Sequence, residues 1–246
     1  MAQVESGQIE KIPGRSKKYS IAANKIDKDK KYSFAGAVKL LKDLGGVKFN
    51  ESVDLSIRLG VDPKHPEQMV RGSVLLPAGS GKNVRVLVIS KGDKEKEAKD
   101  AGADYVGFED MLKKIQEGWL DFDKLIATPD VMSQLSKLGK ILGPRGLMPN
   151  PKTGTVTFDV GKAVSDAKKG KVEFKIDKAG NLHILIGKKS FAEDALLLNL
   201  VAVIEAVVAA KPPTSKGVYL KSITLSTTMG PGLSIDPLSV KELLQK

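Results

Sequence analysis

The stretch LGPRGLMPNPKTGTV, residues 142–156, fits neither of the regular backbone periodicities. It holds three prolines and three glycines in fifteen residues. Each proline lacks an N–H and each glycine loosens the backbone, so neither a helix interior nor a sheet centre can form there. The reading is an ordered loop that carries Arg145, Asn150 and Lys152 on a stiff chain. An amphipathic segment, residues 131–142, precedes it and a β-branched run, 155–160, follows.

Outward from that loop the pattern alternates between strand and helix. A continuous apolar strand at 84–89 is of the kind covered on both faces, and a helix at 94–101 follows it. Then come a short strand at 104–106, a helix at 109–117, a strand at 125–127 and a helix at 130–142; past the loop, a further helix runs to 169. Together they predict a small layered α/β domain.

Beyond its flanks the style changes. Ser33 reads as an N-cap, with Phe34, Ala37, Val38, Leu41 and Leu44 at helical spacing and Gly45-Gly46 as the stop. From Ser52 the period becomes two, with Val53, Leu55, Ile57 and Leu59 on one face and Ser52, Asp54, Ser56 and Arg58 on the other. An alternating run at 172–176, a turn at 177–181 and a strand at 182–186 read as an antiparallel hairpin. A buried helix at 191–210, stopped by Pro212-Pro213, and a strand at 219–229 complete the series.

Pro77-Ala78-Gly79-Ser80-Gly81 and Lys168-Lys169-Gly170-Lys171 have linker composition, and Gly79, Ser80, Gly81 and Gly170 are the hinge candidates. The simplest organisation is α/β: an outer discontinuous domain, 1–79 with 171–246, interrupted by an inserted domain, 80–170. Residues 1–31 read as a mobile basic arm.

Charge indicates the partner. The chain has 246 residues, 40 basic and 29 acidic, a net +11. That balance favours nucleic acid or an anionic membrane surface. The inserted segment carries 16 basic and 13 acidic residues and the outer part 24 and 16, so the outer domain is the better nucleic-acid candidate. No cysteine is present, which excludes disulfides, thiolate zinc sites and a cysteine nucleophile and fits a reducing cytoplasm. The first twenty residues lack the apolar core of a secretory signal. The apolar stretch 195–210 is broken by Asn199 and Glu205 and is shorter than the roughly 20 residues a membrane span needs.

An enzymatic reading finds little support. Gly79-Ser80-Gly81-Lys82 hints at a phosphate loop, but Leu76 stands where that pattern wants glycine and Asn83 where it wants Ser or Thr. A strand follows, not the helix whose N-terminus would hold phosphate. The alternative, a nucleotide-binding enzyme built on the inserted domain, lacks the three-glycine fingerprint after 84–89, where Ser90-Lys91-Gly92-Asp93 stands. His65 and His183 are the only histidines, and His183 falls within an alternating strand, where a structural role is commoner.

RNA accounts for more of the chain. Ser222, Thr224, Ser226 and Thr228 share one strand face and Ser52 and Ser56 repeat the pattern, which suits sugar hydroxyls and phosphates in a shallow minor groove. Solvent-facing strands also carry such residues for no partner. Aromatics make up 5% of the chain, so shape recognition of folded RNA is favoured over stacking of single-stranded bases. Phe49 either stacks on a base or caps the core, and the core is favoured. At Met229-Gly230 a strand runs into Gly-Pro-Gly, where glycine admits a close backbone approach and methionine an adaptable contact.

The proline-glycine loop, with Lys48-Phe49-Asn50-Glu51-Ser52-Val53 and Ser226-Thr227-Thr228-Met229-Gly230-Pro231, resembles the large-subunit ribosomal proteins numbered one, those of the mobile lateral stalk beside the tRNA exit site. The resemblance spans about 32–236. It implies a split β-α-β outer domain with a Rossmann-like three-layer insertion, and an rRNA interface built from Phe49, Glu51, Ser52, Ser222, Thr228, Met229 and Gly230. Glu51 would accept from RNA hydroxyl or amino donors. Lys48, Arg58, His183, Lys188 and Ser190 join the set as lesser members. Gly143, Pro144, Arg145, Gly146, Pro149, Asn150, Pro151 and Gly154 form the family signature, expected to brace the inserted domain, with a peripheral RNA contact through Arg145 and Lys152 as the alternative. The resemblance implies no catalytic residue, cofactor or metal. Its implied partners are large-subunit rRNA, exit-site tRNA, other ribosomal components and the chain's own operon mRNA, whose translation it would repress. No membrane is involved, and the chain would be a cytoplasmic, ribosomal protein, monomeric off the ribosome.

Overall fold

The computed structural model describes residues 14, 16–27, 29–44, 47–92 and 94–240. The start of the expected basic arm, the Gly45-Gly46 helix stop and Asp93 lie outside the described residues. In chain order the elements are α1 (Lys17–Asn24), α2 (Phe34–Asp43), β1 (Ser52–Leu59) and β2 (Arg71–Leu75). Then come β3 (Val86–Ile89), α3 (Lys94–Asp100), β4 (Tyr105–Gly107), α4 (Glu109–Gln116), β5 (Lys124–Ala127), α5 (Met132–Leu135), α6 (Gly139–Leu142) and α7 (Val160–Lys168). The chain ends with β6 (Lys171–Lys175), β7 (Asn181–Lys188), α8 (Glu193–Ala209), β8 (Leu220–Thr227) and β9 (Leu233–Ile235). The class is mixed α/β.

Two compact units result, one from residues up to 69 together with those from 175 on, the other from 70–174. In the first, an antiparallel sheet runs in the order β7-β1-β8-β9. β1 lies between β7 and β8 and alternates cleanly: Val53, Leu55, Ile57 and Leu59 are buried while Arg58 is exposed. Its inward face meets Leu182, Ile184, Ile223 and Leu225 from its neighbours. Helices α2 and α8 cover that face. Ser33 caps α2 by accepting from the Gly36 N–H. The polar interruption in α8 is accounted for, since buried Asn199 donates to the Ile186 carbonyl at 2.7 Å. Among the described residues no helix is long and apolar enough to cross a membrane.

In the second unit a parallel sheet runs in the order β4-β3-β5. All four residues of β3 are buried because both faces are covered. Val86 and Val88 pack with Val160, Val164 and Ala167 of α7 and Ala98 of α3. Leu87 and Ile89 face the other layer, with Leu112 and Ile115 of α4, Leu135 of α5 and Leu142 of α6.

Several expectations need correction. Residues 17–24 of the predicted arm are the helix α1, capped by Ser16 and burying Ser20, Ala22 and Ala23. The helix expected over 130–142 is interrupted by 3-10 turns, yet keeps Val131, Leu135, Leu138 and Leu142 buried on one side. The hairpin expected across 172–186 does not form: β6 pairs with β2, and β7 pairs with β1. Phe174 explains the first choice, since it lies on Gly72, where a Cβ would stand 2.7 Å from its ring. β2 and β6 therefore belong to the inner unit, although the sequence reading places both outside the insertion. Gly79, Ser80, Gly81 and Gly170 also sit inside that unit: Gly170, at φ +103, has no room for a Cβ, which would stand 2.8 Å from the Ser80 nitrogen. They make a close backbone contact there, away from the unit junctions. After Lys82 the chain enters β3, as the rejection of a phosphate loop requires.

The signature loop is knotted around Asn150. Its side chain accepts from the Lys152 N–H at 2.8 Å, and its own N–H donates to Thr155 Oγ1 at 2.8 Å. Its carbonyl accepts from the Thr153 hydroxyl. Pro149 and Thr153 are buried, while Gly143, Pro144, Arg145, Gly146, Pro151 and Lys152 are exposed. Gly154 stands at φ 69, which turns the chain towards β5. The β-branched run then makes a single parallel bridge, Ala127 to Val156.

Candidate nucleic-acid interface

Three chain segments, 48–52, 188–190 and 227–230, meet at one end of the four-stranded sheet. The Ser52 N–H donates to Thr228 Oγ1 at 3.0 Å, and the Thr228 N–H returns to the Ser52 carbonyl at 3.1 Å. Lys188 Nζ donates to Ser52 Oγ at 3.0 Å. Asn50 and Ser190 exchange two bonds, from Asn50 Nδ2 to Ser190 Oγ and from the Ser190 N–H to Asn50 Oδ1. The pairing of β1 with β7 shifts between Val53 and Asp54, a bulge that re-aims the end of β7.

Glu51 anchors the assembly from beneath. It is 4% exposed, its Oε1 accepts from the Met229 N–H at 3.0 Å, and its Oε2 lies 3.6 Å from Lys189 Nζ. Lys189 also donates to the Leu44 carbonyl. The sequence reading has Glu51 accept from RNA; burial and two internal partners make it a brace for the Met229 turn. Gly230 has an internal reason as well, because a Cβ there would stand 2.3 Å from Thr227 Oγ1. Any larger residue would push that hydroxyl aside.

What the frame presents outward is apolar and hydroxylic. Phe49 is 54% exposed and Met229 59% exposed, so the core role favoured for Phe49 is overturned. Lys48, Ser190 and Thr228 are exposed beside them. Helix α1 forms one wall of an adjoining groove of about 180 Å3, whose opposite wall is Glu51, Thr227, Met229 and Gly230.

The remaining candidates lie elsewhere on the sheet. Ser56 pairs in register with His183 on one side and Thr224 on the other, and Thr224 with Ser234, so a polar row crosses all four strands. His183 Nδ1 is 3.1 Å from Ser56 Oγ, and its Nε2 is 3.8 Å from Asp177. The Asp177 carboxyl is held below its usual range, first by the Asn181 N–H and then by that of Ala179. Arg58 and Ser222 pair near the far end of β1 from the cluster. Sequence reasoning thus brings nine of its twelve candidates to one place and misses Asn50, Lys189 and the α1 wall. Only the adjacency of Lys189 to Lys188 could have signalled the second of these.

Among the described residues, no group of three or more His, Cys, Asp or Glu side chains is placed to hold a metal ion. The arrangement offers shape, hydroxyls, amide-braced turns and cations. A family model described as the ribosomal protein L1p/L10e family matches residues 37–231, which takes in all three segments of the cluster and the Asn150 loop.

Proposed function

Because the chain belongs to the ribosomal protein L1p/L10e family and is thus an rRNA-binding constituent of the large ribosomal subunit, we propose that it grips folded stalk rRNA with the Phe49–Met229 end of its four-stranded sheet. The observation that carries this reading is the exposure of both side chains on a frame locked by hydrogen bonds between three distant segments. A preorganised frame loses little freedom on binding, so its exposed groups act with most of their contact energy.

Met229 and Phe49 pack on sugar and base edges, where apolar area and a polarizable sulfur tolerate an irregular RNA surface. Ser52, Ser190 and Thr228 exchange hydrogen bonds with 2′-hydroxyls, and Lys48 and Lys188 contact phosphates. Lys188 uses one of its three N–H donors on Ser52 and keeps two for RNA. In this reading the protein sits on the mobile lateral stalk and assists departure of deacylated tRNA. The same surface binds an mRNA segment of its own operon that imitates the rRNA site, and so represses translation. Stalk motion is assigned to bending where the chain passes between its two units.

Chemical footprinting of the stalk rRNA with and without the protein tests the contact. Protection confined to one internal loop, lost in a Phe49→Ala/Met229→Ala double variant, is expected. Protection that persists in the double variant would place the RNA on another surface.

A further inference from the structure

The positive charge of the inserted segment is concentrated in one place. Residues 131–158 carry Lys137, Lys140, Arg145 and Lys152 and no acidic residue, whereas the rest of 80–170 carries 12 basic and 13 acidic. All four cations are exposed, and among the described residues none has an ion-pair partner. Elsewhere in 80–170 Arg85 pairs with Asp121 and Asp123, Lys94 with Glu97, and Lys168 with Asp104, and other lysines are unpaired as well, so what sets 131–158 apart is that the stretch carries no acidic residue.

The span is also held in shape. Val131, Leu135, Leu138 and Leu142 point into the core, which leaves Lys137 and Lys140 together on the outward side, three residues apart. A tight turn follows, with the Gly146 N–H on the Gly143 carbonyl and the Leu147 N–H on the Leu142 carbonyl, both at 3.0 Å, and Arg145 at its tip. Leu147 and Met148 return to the same core, and the Asn150 knot then fixes Lys152 through its backbone N–H. Asp123 and Glu173 line a depression beside residues 146–149, but the stretch itself carries four cations on a braced backbone and no acidic side chain, which matches a regularly charged polyanion.

We infer that residues 131–158 form a second RNA contact, a phosphodiester-binding face that belongs to the inserted unit and is separate from the Phe49–Met229 cluster. The inference rests on the chain acting on folded RNA. The phosphate chain comes either from the stalk rRNA itself or from a deacylated tRNA.

Salt titrations of binding by the full chain, with a stalk rRNA fragment and with deacylated tRNA as separate ligands, decide the matter. The variant Lys137→Gln/Lys140→Gln/Arg145→Gln/Lys152→Gln removes only exposed, unpaired charges, and a melting curve checks that it folds. For one of the two RNAs the slope of log affinity against log salt is expected to fall by about 2 or more, with at least about tenfold weaker binding near 0.1 M salt. The ligand affected names the source. A control, Lys96→Gln/Lys99→Gln/Lys113→Gln/Lys114→Gln, makes the same change in net charge among acid-flanked helical positions and should leave both slopes nearly intact. Equal losses in the two variants would reduce the effect to the general field of the protein and overturn the assignment. Unchanged slopes for both RNAs would overturn it too, and weakened retention on large subunits in that case would give the face to an acidic protein. Met229→Ala, run in parallel, reports on the first contact alone, so the two readings fail independently.

Discussion

Met229 and Glu51 divide the labour at the cluster: one is exposed to solvent, the other is buried and accepts from the backbone of the first. Met229→Ala is expected to weaken binding to the stalk rRNA by about 1 kcal/mol or more without changing the salt slope, since no phosphate contact is lost. Lys188→Gln should instead lower the slope by about 1; a titration series on both variants checks the pair. Glu51→Gln keeps an oxygen for the Met229 N–H and loses only the Lys189 ion pair. Affinity should therefore stay within about threefold of the parent, while Glu51→Ala leaves the part-buried Met229 N–H without its acceptor and costs about 1 kcal/mol of stability. A folded Glu51→Gln protein that no longer binds RNA would return Glu51 to direct contact.

At the level of elements, Tyr219 shows how β8 and α8 are joined. Its hydroxyl donates to the Val207 carbonyl at 3.1 Å, one of the carbonyls left without an intrahelical partner at the end of α8. Burial pushes the phenol from 10.0 up to about 12. The unfolded chain therefore loses this proton first as pH rises, and the stability tied to it is complete below pH 10 and declines towards pH 12. Tyr219→Phe should cost about 1 kcal/mol at neutral pH and remove that part of the alkaline decline, as denaturant midpoints across the range would show. Most elements were legible: Ser33 as cap, the alternation of β1 and the doubly covered β3 each report a local rule that tertiary context did not override. Partner choice was not, because alternation identifies a strand and says nothing of its neighbour, which for β6 is settled by Phe174 against Gly72. Helix α1 was missed because it buries only small residues, Ser20, Ala22 and Ala23, which leave a weak periodic signal among lysines. Phe49 was misjudged for a related reason: an aromatic beside a strand reads as core until its exposure is seen.

For the whole molecule, the insertion leaves and rejoins through neighbouring strands, with Arg71 Nη2 and Glu173 Oε2 3.8 Å apart. Replacing residues 72–172 by a short Gly-Ser turn should therefore leave the outer unit folded, with affinity for the stalk rRNA reduced mainly by whatever the 131–158 face supplies. Circular dichroism and a binding titration on the excised form check this; an unfolded product would show that the outer unit depends on its insertion. The sheet order β7-β1-β8-β9 has one more consequence, for synthesis. β1 emerges early from the exit tunnel but waits for both of its neighbours until the last third of the chain has been translated, whereas β3, β4 and β5 follow one another and can assemble while elongation continues. A nascent polypeptide that stalls before β8 carries the whole of β3, β4 and β5 and lacks the Met229 turn, so a truncated product is without the sheet end that the proposed RNA contact requires.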